Sequence, residues 1–220
     1  MKPVKNIIFD LGGVLLNLDY NKTTAAFIAL GYEQFGDLFS QCKASPVFED
    51  FETGRISEEG FLDHLSSLSS RPVSHQQIIS AWNAMMLDYR TATLPILEDL
   101  SSKYNLYLLS NTNSIHLRFF REIFLRDTSM NNFDSYFLMT WYSHEIGLRK
   151  PYPETFAFAL AEGNMDAEET LFIDDSLANI EGAARLGIQT HLLLSNERIE
   201  GLGLYLWPDG APHFNSSNSI

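Results

Sequence analysis

The sequence predicts an α/β protein: a parallel β-sheet covered by helices on both faces, with a helical segment inserted after the first strand. Three observations predict it. Short apolar runs recur where alternating ones would mark a half-exposed sheet, so the strands are buried on both faces. Helical periodicity fills the gaps between the later runs, which is the alternation that parallel sheets require. From residue 18 to about 90, helical patterns follow one another with no convincing strand.

Taken in order, the expected strands are residues 7–9, 106–109, 136–140, 171–173 and 190–194. The expected helices of the sheet region are 94–103, 113–126, 153–162 and 177–186. The third of these opens with Pro153 in its first turn and stops near Gly163, and the fourth stops at Gly187. The insert carries helical patterns at 22–30, 33–42, 58–68 and 74–89, the last opened by a capping box between Ser74 and Gln77. The resulting division is a sheet domain at 1–17 and 91–207, a helical insert at 18–90, and a polar tail at 208–220 expected to fray.

Composition narrows the function classes. The 220 residues carry a formal net charge of −13, which argues against a nucleic-acid backbone as partner. A small phosphate ligand stays compatible, since one lysine and a metal reverse the local sign. Cys42 stands alone, so no internal disulfide is expected, in keeping with a reducing compartment. No apolar run reaches membrane-span length, and the early apolar run is broken by Asp10 and glycines, so the expected location is the cytoplasm. Oligomeric state is not legible.

The chemistry sits at the strand ends. The first strand delivers Asp10, followed by Gly12 and Gly13; the second delivers Ser110, Asn111 and Thr112. A loop with Arg149, Lys150 and Pro151 follows the third, and Asp174 with Asp175 follows the fourth. Open parallel sheets bind ligands outside the carboxyl ends of their strands. Clustered carboxylates repel one another, a hard cation relieves this, and oxygen ligands select Mg²⁺. A cation from the 149–150 pair holds an anion, Ser110 donates to it, and the glycines let backbone N–H groups approach it. Together these describe a phosphoryl-transfer site in which Asp10 is available as a covalent nucleophile.

Four segments, "IIFDLGGVL", "LLSNTN", "GLRKP" and "LFIDDSLANIEGA", stand in the order and spacing of the haloacid dehalogenase superfamily. The sequence resembles that family over 1–17 and about 91–195, and its insert resembles the family's C1-type helical cap on a Rossmann-like core. Within the family the motifs look most like the bacterial α-D-glucose-1-phosphate phosphatase group. The resemblance implies a Mg²⁺-dependent phosphomonoesterase acting on a small sugar phosphate. It implies that Asp10 attacks phosphorus and binds Mg²⁺, and that the Gly12 carbonyl, Asp175 and Asp174 complete the metal site, the last directly or through water. Leu11, Gly12, Ser110 and the Asn111 amide hold the phosphate, Lys150 neutralises it, and Asn179 orients the fourth motif. The choice of Lys150 over Arg149 rests on this resemblance.

One position departs from the family pattern. Its phosphatases usually carry a second aspartate two residues after the nucleophile, to protonate the leaving oxygen and then activate water. Here that residue is Gly12. General acid–base catalysis contributes roughly 10²–10⁴-fold, about 3–5 kcal/mol, so its loss weakens the enzyme without abolishing it. A sugar phosphorylated at the anomeric carbon, whose leaving oxygen is less basic, tolerates the loss best. Asp19, Glu49 or Glu52 could supply the proton from the cap side. Glu52 and Arg55, flanking Gly54, are also candidate sugar contacts. A metal-independent 2-haloacid dehalogenase and a phosphate-binding module with little turnover are the alternatives. Against the first, an acid pair gains nothing in a metal-free site for a carboxylate substrate. The six histidines lack metal-ligand spacing, and no nucleotide-binding P-loop is present.

Overall fold

The computed structural model describes residues 2–32, Phe35 and 46–204. Apart from Phe35, the expected helix at 33–42, Cys42 within it, lies outside the described residues, as do His213 and the tail at 208–220.

Strand β1 (Asn6–Phe9) leads into a tight turn and a short strand, β2 (Leu16–Leu18). The insert follows: α1 (Tyr20–Ala29), α2 (Pro46–Glu52), α3 (Glu58–Ser67) and α4 (His75–Asn83). Strand β3 (Met86–Tyr89) returns to the sheet domain. There α5 (Leu94–Ser101), β4 (Asn105–Ser110), α6 (Ser114–Thr128), β5 (Met139–Tyr142) and the single turn α7 (Ser143–Ile146) follow. Helix α8 (Pro153–Glu162), β6 (Thr170–Asp174), α9 (Leu177–Ala184) and β7 (Gln189–Leu192) complete the helices and strands of the described residues.

The main sheet runs β5-β4-β1-β6-β7 with every neighbouring pair parallel. Successive side chains of a strand face opposite ways. Ile7, Phe9, Leu106, Leu108, Leu171 and Ile173 accordingly join one core, while Ile8, Tyr107, Leu109 and Phe172 join another across the sheet. Apolar runs without alternation are what two buried faces demand. The insert has its own core around Phe27, Phe48, Phe61 and Trp82. The capping box at Ser74 and Gln77 is formed.

The structure corrects three expectations. The pattern at 74–89 is no single helix: it ends at Asn83, and Met86–Tyr89 pairs antiparallel with Leu16–Leu18. The insert is thus tied to the sheet domain by a two-stranded ribbon. A four-residue strand whose partner lies some seventy residues away leaves no local signal. The third main strand lies at Met139–Tyr142, not 136–140: these residues pair with Tyr107–Ser110, Trp141 and Tyr142 are buried, and Leu138 is 65% exposed. The segment before it, Phe133–Tyr136, is a 3₁₀ turn. Helix α1 begins at Tyr20 because Asp19 caps it, its side chain accepting the Asn21 N–H at 3.0 Å.

Cap and core close on each other at several points. Arg118 of α6 grips Glu58 with two bonds of 2.7 Å, and the Ser114 hydroxyl donates to the same carboxylate. His116 stacks on Trp82 with ring centroids 5.1 Å apart. Gly54 is pressed onto the backbone carbonyl of His144, where a Cβ would collide.

Candidate active site

Lys150 is the centre of the site. Its ammonium is 1% exposed, donating to Asp10 Oδ1 at 2.7 Å and to Asp174 Oδ2 at 2.7 Å. Burial alone would lower its pKa, but the two carboxylates outweigh this and raise it. The lysine is held there by its backbone: Asn111 donates to the Lys150 carbonyl at 2.8 Å and accepts its N–H at 2.9 Å. The Asn111 side chain therefore positions the lysine. Ser143 fastens the same loop, exchanging bonds of 2.9 Å with the Thr112 N–H and carbonyl.

Asp10 leaves β1 buried, its N–H still in the sheet ladder to Ile173 at 2.9 Å. Desolvation pushes its pKa up to about 7, against the pull of Lys150 and with the help of Asp174. Asp174 is wholly buried and accepts from the Ser176 N–H and from Asn179 as well as from Lys150. Asp175, at the surface of the cluster, is raised by desolvation and then by Asp174.

Asp10, Asp174 and Asp175 can each offer an oxygen within 4.8 Å of the others'. Three carboxylates against one ammonium leave a net negative, all-oxygen donor set, which fits a hard divalent cation. The backbone is shaped to match. Gly13 has φ +74°, and a Cβ there would collide with the Asp175 carboxylate. Gly13→Ala is accordingly expected to destabilise the protein by about 1–3 kcal/mol and to weaken Mg²⁺ binding. Thermal unfolding and titration calorimetry read the two effects.

A cavity of about 410 Å³ opens over this cluster, between sheet edge and cap. Asp10, Leu11, Gly12, Ser110, Asn111, Lys150, Asp175 and Asn179 line its floor, and Tyr20, Phe48, Glu52 and Trp82 line its cap side. Of the cap residues singled out in the sequence, Glu52 reaches the cavity. Arg55 does not, being bonded to Asp50 and Glu49. Asp19 does not either; it is committed to the α1 cap. Glu49 is held by Arg55 and by the Tyr152 hydroxyl. At Gly12 a Cβ would lie 2.7 Å from Leu18 Cδ1, so the leucine occupies the room a side chain would need.

Sequence reasoning placed Arg149 at the strand end beside Lys150 but missed Tyr20 and His116 as cavity residues. Arg149 pairs with Glu52 at 3.2 Å across the cavity wall. His116 is neutral: burial pushes its pKa down to about 4, and its ring nitrogens face Asn113 and the Trp82 carbonyl. Neither Tyr20 nor His116 carries a local signal, because each depends on where the cap comes to rest.

Residues 4–187 match the family described as haloacid dehalogenase-like hydrolase. The chain belongs to this family. This haloacid dehalogenase-like hydrolase is 30% identical over 190 residues to the D-ribitol-5-phosphate phosphatase of Bacteroides thetaiotaomicron, covering 85% of the chain and 90% of the relative. A HAD family enzyme of that species has been crystallised as an aspartate-to-alanine variant with magnesium and inorganic phosphate. It matches the hydrolase with a TM-score of 0.84 at 34% identity, covering 89% of this chain and 96% of its own. A HAD-like family hydrolase of Porphyromonas gingivalis matches with a TM-score of 0.79 at 34% identity, covering 88% and 93%. The fold expected from the sequence is the fold these enzymes share. Among the described residues of the hydrolase, no helix is long and apolar enough to cross a membrane.

Proposed function

We propose that this hydrolase is a Mg²⁺-dependent phosphomonoesterase for a small phosphorylated metabolite, working through an aspartyl-phosphate on Asp10. The observation that carries the reading is the meeting of Asp10, Lys150 and Asp175 at the floor of one cavity beside Ser110 and Asn111, with the buried Asp174 bonded to Lys150 from beneath. A site that binds an anion on a lysine yet keeps three carboxylates makes sense when the anion is a phosphoryl group brought in with a cation.

Asp10, Asp174, Asp175 and the Gly12 carbonyl would hold the Mg²⁺. When bound, it neutralises the carboxylates and the phosphoryl oxygens. The chain's own groups do the rest. Ser110, the Asn111 amide and the backbone at Leu11 and Gly12 orient the phosphoryl group, and Lys150 offsets its charge. Asp10 attacks phosphorus in line with the departing oxygen. Asn179 and the Ser176 N–H keep Asp174 turned toward Lys150. The cap, held over the cavity by Glu58 and Glu52, excludes water.

The finer reading is a sugar phosphate of the glucose 1-phosphate kind. The motif resemblance supports it, and so does a relative whose substrate is D-ribitol 5-phosphate. The two differ in their leaving oxygen, hemiacetal in one and primary alkoxide in the other. Phosphate release from a panel holding both is expected with Mg²⁺ and to stop on adding EDTA. Release that persists in EDTA, or chloride release from 2-chloropropionate without metal, would sink the reading.

A further inference from the structure

The turn that joins Asp10 to β2 brings no side chain of its two glycines to the metal site. Gly12 offers a carbonyl, and Gly13 lies with bare backbone against the Asp175 carboxylate, where a Cβ would collide. A backbone carbonyl has no rotamer to adjust, so its place is set by whatever holds the turn. Part of the hold is internal. The Leu11 carbonyl accepts from the Leu15 and Leu16 N–H groups at 2.8 and 2.9 Å, and the Leu16 carbonyl accepts from Gly13 at 2.8 Å. A further hold comes from Arg90, the first residue after β3. Its backbone N–H donates to the Leu15 carbonyl at 2.9 Å. Its guanidinium donates from Nη1 to the Val14 carbonyl at 2.9 Å and from Nε to Asn17 Oδ1 at 2.8 Å. Val14 is buried, so removing the guanidinium takes a donor from a buried carbonyl.

We propose that Arg90 is a positioning residue of the Mg²⁺ site: by bonding the turn at Val14 and Leu15 it fixes where the Gly12 carbonyl stands and how Gly13 meets Asp175. The inference rests on the Mg²⁺-dependent phosphomonoesterase reading. Mg²⁺ accepts near-ideal octahedral geometry with ligands at about 2.0–2.1 Å, so a small displacement of one carbonyl is felt as lost affinity. Arg90 also stands where the insert rejoins the sheet domain. Asn17, its second acceptor, lies on the outgoing strand and donates to Asp88 of the returning one at 3.3 Å. Both crossings of the ribbon are thereby tied to the turn.

Geometry and charge make opposite demands here. The planar fork serves two acceptors from two nitrogens, which a lysine does not reproduce. The positive charge works the other way: Asp175 is among the acids it interacts with, so the charge disfavours a cation bound there. Removing it tightens Mg²⁺ binding if charge is all that Arg90 supplies, and weakens binding if it positions the turn.

The test compares Arg90→Lys and Arg90→Gln with wild type by calorimetric titration of the metal-free proteins with Mg²⁺, and by the Mg²⁺ dependence of kcat/KM on ribitol 5-phosphate. Both variants are expected to raise the Mg²⁺ Kd by roughly 10–100-fold, the scale on which loss of a partner behind a metal ligand is felt. The loss of kcat at saturating Mg²⁺ should be far smaller. Asn17→Ala removes one acceptor of the fork and spares the bond to Val14; it is expected to raise the Kd in the same direction by less, and it decides the matter if the Arg90 variants do not fold. A lysine variant that binds Mg²⁺ as wild type does would make the role one of charge. Unchanged or tighter binding in Arg90→Gln, or in Asn17→Ala where it is the deciding variant, would remove the positioning role. Each of these overturns the proposal and leaves the phosphatase reading intact. A wild-type protein that takes up no Mg²⁺ and hydrolyses no ester overturns that reading, and this one with it.

Discussion

Replacing Asp10 with asparagine is expected to cut phosphate release by about 10⁴-fold or more, the scale on which loss of a covalent nucleophile is felt. The same change should make the metal-free protein more stable. Asp10 has its pKa raised from 3.8 to about 7 by burial, so its folded form binds the proton more tightly than its unfolded form does. A carboxyl group raised in this way destabilises the folded state at every pH above its unfolded value, and the penalty grows until pH passes about 7. The asparagine is free of that penalty. Its thermal midpoint should therefore sit above wild type at neutral pH, and the gap should close as pH falls toward about 4, in chelated buffer followed by calorimetry. A stable, inactive Asp10→Asn is the signature of a charge kept for chemistry at the expense of stability. A variant that keeps its turnover would remove Asp10 from the mechanism.

How much of this was legible in the sequence follows from how local each signal is. The sheet was legible because five short apolar runs, each ending in a polar residue, mean the same thing wherever they sit. The convergence of Asp10, Lys150 and the 174–175 pair was legible too, since parallel topology fixes which strand ends share an edge. The ribbon of β2 and β3 was not, because neither strand is recognisable without the other, and they are joined through the whole insert. The cavity's upper half was harder still. Glu52 and Arg55 look alike in sequence, flanking Gly54, and only the packing of α2 against the loop at 144–149 decides that one meets Arg149 and the other pairs with Glu49 and Asp50 of α2. Tyr20 was hidden behind Asp19: the capping signal explains that segment so well that nothing asks what the next residue does.

Lys150→Met is expected to cost the most stability of any single change at the site. The lysine's 1% exposure means that its loss leaves Asp10 and the wholly buried Asp174 facing each other with no compensating charge. Breaking a buried ion pair by removing one partner costs about 3–5 kcal/mol. For a chain of this length that is a fall in Tm of roughly 6–20 °C. The pH dependence separates this from simple loss of packing. In wild type the Lys150 pKa is raised above 10.5, so its contribution is fully present below that value and is lost only as pH rises through the raised one. The lysine's own titration therefore adds no pH dependence below about pH 9. In the methionine variant the two carboxylates are driven to bind protons in the folded state, so the deficit should be largest near pH 8 and shrink toward pH 4. Mg²⁺ should also narrow it, because a cation bound by Asp10 and its neighbours restores part of the missing positive charge, whereas a cavity left by a truncated side chain is indifferent to metal. A deficit that stays the same across pH and Mg²⁺ would mean that Lys150 is there as filler, and that the charge balance drawn around it is wrong.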